Sequence, residues 1–201
     1  PTDGLSILAK GEVFSSEGDG PAAQNRGSFD RDSFDFAIDE PGSYATDIIS
    51  GTLRMEQDVD FGDGLITTIF GYRNLEAATL GDIDASPIFL FHSNTEFEQE
   101  QLSTEIRYNG TFGKLDLTTG GYLFNQNVSY DEIRDLPPVT PFTFYGGGTQ
   151  VHTGYGVFAN VDYNVTDKLI VTAGLRYSFE EKVAGVSIVR PKAECSVVAG
   201  T

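Results

Sequence analysis

The sequence predicts an all-β fold, an antiparallel up-and-down meander of six or seven long strands. Apolar and polar residues alternate with period two over long stretches, and short turn-forming segments join these stretches in pairs. No segment requires a helix. Of the 201 residues 39% are hydrophobic, with 15 Phe, 9 Tyr and no Trp. That is too rich in rings for a disordered acidic chain, so the protein is expected to fold.

The first apolar segment, Leu5 to Phe14, is the candidate seventh strand, and an acidic, glycine-rich loop over 15–47 follows it. Strands near 48–60 and 65–74 are joined through Phe61-Gly62-Asp63-Gly64. After a long loop at 75–95, strands near 97–109 and 114–128 flank the turn Asn109 to Lys114, with Leu102, Thr104, Ile106 and Tyr108 facing away from Ser103, Glu105 and Arg107. A third long loop, 129–149, leads to strands near 150–164 and 168–181 across Asn164-Val165-Thr166-Asp167. Their alternation places Val157, Val161, Leu169, Val171 and Leu175 on one face and Asn160, Asp162 and Arg176 on the other. The return strands LITTIFGYR, LDLTTGGYL and KLIVTAGLRY look alike, so the hairpin itself repeats.

Charge and residue usage exclude several function classes. The 30 acidic and 13 basic side chains leave a net charge of −17. Such a chain has no attraction for a phosphate backbone, and nucleic acid is excluded as a partner. The single cysteine, Cys195, and the two histidines, His92 and His152, permit neither a disulfide framework nor a Cys/His zinc cluster. No catalytic residue, metal or cofactor is expected: there is no nucleophile elbow and no histidine pair, and His152 reads as a polar side chain facing a lumen. Asp58 to Gly64 looks superficially like a Ca²⁺ loop, but Gly62 stands where an oxygen ligand is needed, so it reads as a charged hairpin turn. The acidic set Asp30, Asp32, Asp35, Asp39 and Glu40 reads as solvated loop charge. Gly146-Gly147-Gly148 has no helix after it to cradle a phosphate and reads as a flexible loop tip.

No apolar run reaches the roughly 18 residues of a membrane helix. Long alternating strands with short turns at one end and long loops at the other are instead what a membrane barrel needs, since lipid meets one face and water or a plug the other. The segment Gly64-Leu65-Ile66-Thr67-Thr68-Ile69-Phe70-Gly71-Tyr72-Arg73, then Glu100 to Arg107, Gly113 to Phe124, and Tyr155 to Ala159 continuing through Thr166 to Tyr177, resembles barrel strands of TonB-dependent outer-membrane receptors in their usual order. The resemblance implies part of a transmembrane β-barrel in the outer membrane of a Gram-negative bacterium. It also implies active import of a scarce nutrient, such as an iron-siderophore complex, cobalamin or a glycan. The implied partners are outer-membrane lipid and lipopolysaccharide, a small-molecule ligand at the extracellular loops, and an energy-transducing inner-membrane complex acting through a plug domain. Nothing in the chain matches that plug, so residues 1–201 read as a partial barrel domain with the plug absent. The alternative is a small soluble or outer-membrane β-barrel binding protein without energy coupling, with the same apolar row turned inward in the soluble case.

The loops carry more aromatic rings than solvation requires: Phe89, Phe91, Phe142, Phe144 and Tyr145. Such rings suit capture of flat or hydrophobic ligands, and Phe89, Phe91, His92, Phe144 and Tyr145 are the candidate ligand-binding residues, with His92 as a polar contact. The alternative role for these rings is to pack the loops against one another over a barrel mouth.

Overall fold

Seven strands, β1 (Leu5–Asp19), β2 (Ser43–Val59), β3 (Gly64–Asp82), β4 (His92–Phe112), β5 (Leu115–Asp135), β6 (Phe144–Thr166) and β7 (Leu169–Val189), follow one another in space as they do in sequence. The computed structural model describes residues 4–137 and 143–189; Cys195, Phe142, Pro138 and Pro141 lie outside the described residues. Every neighbouring pair is antiparallel, and β1 and β7 do not pair with each other, so the sheet is an open meander. It is a partial barrel.

The register turns the alternation of single strands into continuous rows. Ile7, Met55, Thr68, Ile106, Gly121, Val157 and Tyr177 stand side by side across all seven strands, and the next row holds Ala9, Leu53, Phe70, Thr104, Leu123, Tyr155 and Phe179. On the opposite face one row reads Ser6, Glu56, Thr67, Arg107, Gly120, Phe158 and Arg176. The first face is thus apolar and the second charged and polar. The apolar face is also the more exposed one: Leu102 and Ile106 are each 53% exposed, whereas Thr67 on the polar face is 1% exposed. An apolar surface of this extent has to be covered, and lipid is the solvent that suits it.

Tight turns close one end of the sheet. Gly62 (φ 65°) and Asp63 (φ 41°) supply the left-handed backbone between β2 and β3, and Gly113 (φ 66°) does so between β4 and β5. Adjacent turns are fastened together: Thr111 N donates to Gly62 O at 2.7 Å, and Asn164 N donates to Lys114 O at 2.8 Å. Phe61 packs edge-on against Phe112 with centroids 4.9 Å apart, and the Tyr108 hydroxyl donates to Phe61 O at 2.5 Å. The Asp58 to Gly64 segment forms this turn.

At the other end the strands run well beyond the apolar-polar alternation. β3 continues to Asp82, β4 begins at His92, β5 reaches Asp135 and β6 begins at Phe144, so the expected loops at 75–95 and 129–149 shrink to 83–91 and 136–143. The reason lies in the outer face. Above Leu102 it turns from apolar to acidic, with Asp47, Glu76 and Glu98 directly opposite one another on β2, β3 and β4 and Glu96 opposite Asp131. The outer face of β2, β3 and β4 then no longer supplies an apolar half to the pattern, and the alternation is lost although hydrogen bonding persists. The Gly146-Gly147-Gly148 triplet lies within β6 and is not a loop tip.

In the full-length protein, Leu175→Arg on the apolar face is expected to cost about 2–4 kcal/mol if the site lies near a bilayer midplane. Ser103→Arg on the polar face is expected to cost less than about 1 kcal/mol. Urea unfolding of the two variants in lipid vesicles measures the difference; equal costs would mean that the apolar face does not meet hydrocarbon.

Candidate functional site

The longer connections lie at the end of the sheet opposite the tight turns. The β1–β2 loop returns on itself, with Gly20 N donating to Pro41 O at 3.1 Å and the Gln24 side chain donating to the carbonyls of Ser33 (2.9 Å) and Asp35 (2.8 Å). It is tied to the β3–β4 loop by Asn25 Nδ2, which donates to Asp84 O at 3.0 Å, and by Asp39 N, which donates to Asp82 Oδ2 at 3.3 Å. Asp82 and Asp84 organise the shorter loop. Asp82 accepts from Ala85 N at 2.8 Å, and Asp84 accepts from Phe91 N at 2.7 Å and from the Ser86 hydroxyl. Burial desolvates the Asp84 carboxyl, but the bonds from Ser86 and Phe91 outweigh it and hold that carboxyl below its ordinary range. These loops are therefore shaped by their own backbone.

Beside them, on the inner polar face, lies a cavity of about 630 Å³. Phe91, Leu136 and Phe144 wall it from the loop side, Val128, Tyr130, Glu132 and Arg134 from β5, and Ala184, Val186 and Ile188 from β7. The β6 glycines leave it open: Gly146 and Gly148 replace side chains that would otherwise point inward. A Cβ on Gly148 would meet Gly185 O at 2.8 Å, so this strand also approaches its neighbour too closely for any other residue.

The charged group of the cavity is a pair. Arg134 Nε donates to Glu132 Oε1 at 2.6 Å, which holds the Glu132 carboxyl below its ordinary range against the opposing effect of burial; Ser93 Oγ adds a bond at 3.2 Å. Burial, reinforced by the Glu132 charge, pushes the Tyr130 phenol up, so it stays protonated and able to donate. The Arg134 guanidinium remains half-exposed. A large apolar wall with one phenol, one guanidinium and one carboxylate can hold an organic ligand that carries negative charge or oxygen donors.

The candidate residues read from the sequence divide between two faces. Phe91 and Phe144 meet at the cavity. His92 and Tyr145 are the next residues along β4 and β6 and so point to the outer face. Tyr145 is 49% exposed there, opposite Ile133 and Val189. Phe89 stacks on the His92 ring with centroids 4.2 Å apart, and His92 Nε2 lies 2.9 Å from Asp39 Oδ1. The His92 ring is thus already engaged by the loops. His152 lies on the inner face with its ring edge against Phe124, 4.9 Å between centroids. Tyr130, Glu132 and Arg134 escaped sequence reading, yet the signal was present: Val128, Tyr130, Glu132 and Arg134 continue the inward parity of Phe124 and Gln126 along β5. Asp39, Asp82 and His92 hold ligating atoms that all lie within 4.8 Å of one another.

The family model for the β-barrel of TonB-dependent receptor-like proteins matches residues 5–188, and the chain belongs to that family. Among solved structures it is similar to FyuA, the ferric yersiniabactin uptake receptor of Yersinia pestis, with a TM-score of 0.69 and 14% identity over 94% of this chain and 32% of the receptor. It is similar also to the ferric citrate transporter FecA (TM-score 0.61, 12% identity, 94% of this chain, 30% of the other). BauA, the ferric preacinetobactin receptor of Acinetobacter baumannii, superposes with a TM-score of 0.55 at 12% identity over 95% of this chain and 34% of the receptor. The chain therefore spans about a third of the length of the solved receptors it matches. No curated protein matches it in sequence. At these identities the likeness is one of fold.

Asp84→Ala removes two bonds that order the β3–β4 loop. Because bonds to a charged acceptor contribute about 1.5–3 kcal/mol, amide exchange at Phe91 is expected to accelerate at least about tenfold, while β4 below Leu102 keeps its protection. Hydrogen exchange read by mass spectrometry checks both.

Proposed function

We propose that this chain is the barrel portion of an outer-membrane active-transport receptor that imports a ferric chelate, captured in the cavity between the β3–β4 loop and the ends of β5, β6 and β7. The observation that carries the proposal is the cavity itself, apolar and aromatic through Phe91 and Phe144 and polar at Tyr130, Glu132 and Arg134. Its inner-face position at the end opposite the tight turns suits a ligand arriving from outside the cell. Iron in a chelate is wrapped by an organic ligand, so a receptor for it needs apolar contact surface and a few polar contacts rather than donors to the metal. Arg134 suits residual negative charge on the chelate. Support for iron as cargo comes from the solved receptors of similar fold, which are named for ferric yersiniabactin, ferric preacinetobactin and ferric citrate.

In this reading, phospholipid and lipopolysaccharide surround the apolar face. Energy reaches the receptor from an inner-membrane complex through TonB, acting on a plug domain that fills the lumen and is encoded outside this chain. The lumen wall fits such a filler, being lined by Arg54, Glu56, Glu105, Arg107 and Arg176.

The test uses the full-length receptor in cells starved of iron. Phe91→Ala combined with Phe144→Ala is expected to weaken binding of the authentic ferric chelate about tenfold or more, since buried aromatic anchors each contribute over about 1 kcal/mol. Tyr145→Ala, on the outer face, leaves affinity unchanged. Uptake of the radiolabelled chelate stops when the proton gradient is collapsed while surface binding continues. Uptake that persists without the gradient would make the protein a passive channel, and unchanged affinity in the Phe91/Phe144 variant would move the site elsewhere.

A further inference from the structure

We infer that Asp39, Asp82 and His92 form a divalent transition-metal site of the zinc class that clasps the β1–β2 loop to the rim of β3 and β4. Asp82 is the last residue of β3 and His92 the first of β4, and the register sets them directly opposite each other with side chains on the same face. Asp39 enters from the β1–β2 loop, where its amide donates to Asp82 Oδ2 at 3.3 Å and its carboxylate lies 2.9 Å from His92 Nε2. One ligand atom from each residue falls within 4.8 Å of the other two.

The electrostatics of the group call for a cation. Asp82 is only 4% exposed, and the carboxylate of Asp84 shares its loop. Two carboxylates thus share a single imidazole with a third, Asp84, in the same loop, and among the described residues no lysine or arginine forms an ion pair with any of the three. Buried carboxylates are ordinarily paired with a cation or coordinated to a metal. Backbone amides satisfy part of the hydrogen-bonding capacity of Asp82 but bring no positive charge.

The donor set selects the ion. Two carboxylate oxygens and one imidazole nitrogen suit zinc and its neighbours, whereas calcium requires six to eight oxygens. Phe89, stacked on the imidazole at 4.2 Å, holds the ring in the orientation the site needs. With metal–ligand distances of about 2.0–2.2 Å, closing the trio requires side-chain movements on the order of 1 Å. A fourth coordination position is left for water. Because His92 and Asp82 face outward while Phe91 faces the cavity, the clasp is separate from the ligand site and stands whether or not the cavity takes a ferric chelate.

The experiment is a calorimetric titration of Zn²⁺ into the full-length receptor, purified in detergent and stripped with a chelator, followed by hydrogen exchange. One equivalent more Zn²⁺ binds to the wild-type receptor than to His92→Ala. Asp39→Asn, a conservative change in a loop, weakens that equivalent at least about tenfold. Zn²⁺ at a concentration that just saturates the wild-type site slows amide exchange over residues 36–42 in the wild type, much less in Asp39→Asn and not at all in His92→Ala. Equal Zn²⁺ binding by wild type and both variants, absence of saturable binding, or a calcium response in place of a zinc response would overturn the proposal. Asp39→Asn keeps the test decisive even if His92→Ala fails to fold.

Discussion

Everything in this structure depends on the need to satisfy backbone N–H and C=O groups where water is absent. A sheet does this between strands, and in hydrocarbon each unpaired group costs several kcal/mol. The chain answers with ladders that run almost the full length of every internal strand, 17 residues in β2 and 23 in β6, with one irregularity between Asn164 and Thr166. Among the described residues the outward edges of β1 and β7 have no partner strand, each a row of donors and acceptors that hydrocarbon would leave unsatisfied. The side chains are free to serve other ends once the backbone is settled: apolar rows toward lipid, charged rows toward the lumen.

This division explains what the sequence could and could not disclose. Alternation is a record of contrast between two solvents, not of hydrogen bonding. Around Leu102 and Ile106 the outer face is apolar and the inner face, with Ser103, Glu105 and Arg107, is polar, and the strands are plain to read. Past Glu100 the outer face of β3 and β4 turns acidic and is no longer the apolar one, so the continuation of β3, β4, β5 and β6 to the rim loses its period-two signature even though the ladders are unbroken. The tight turns were legible for a different reason: Gly62 and Gly113 adopt positive φ, a local requirement that leaves a local mark.

The candidate site was legible in half. The rings of Phe91 and Phe144 reach one cavity, as a reading based on loop aromatics would hope, but their neighbours His92 and Tyr145 point the other way. A loop has no parity and a strand does, so reading 75–95 and 129–149 as loops removed the very rule that separates adjacent residues by face. The same omission hid Tyr130, Glu132 and Arg134, whose spacing of two residues places them together only if β5 is extended to Asp135.

The vertical position of the chain is fixed from both ends of its apolar belt. Along β4, residues 102–112 match the roughly 9–11 residues that cross the hydrocarbon of an outer membrane. At the turn end of this stretch, Phe61, Tyr108 and Phe112 gather, rings suited to an interface, with the Tyr108 hydroxyl held by Phe61 O. Above them, Asp47, Glu76 and Glu98 stand opposite one another on three adjacent strands. Like charges directly across a sheet repel, so this row is tolerable only in water or among counterions and is ruled out of hydrocarbon. Sliding the sheet toward the turns would drag those carboxylates into lipid; sliding it the other way would lift Ile106 and Val157 out. In the proposed receptor the rim, the cavity and the loops that Asp82 and Asp84 hold in place thereby stay above the membrane, where a water-borne ligand can reach them.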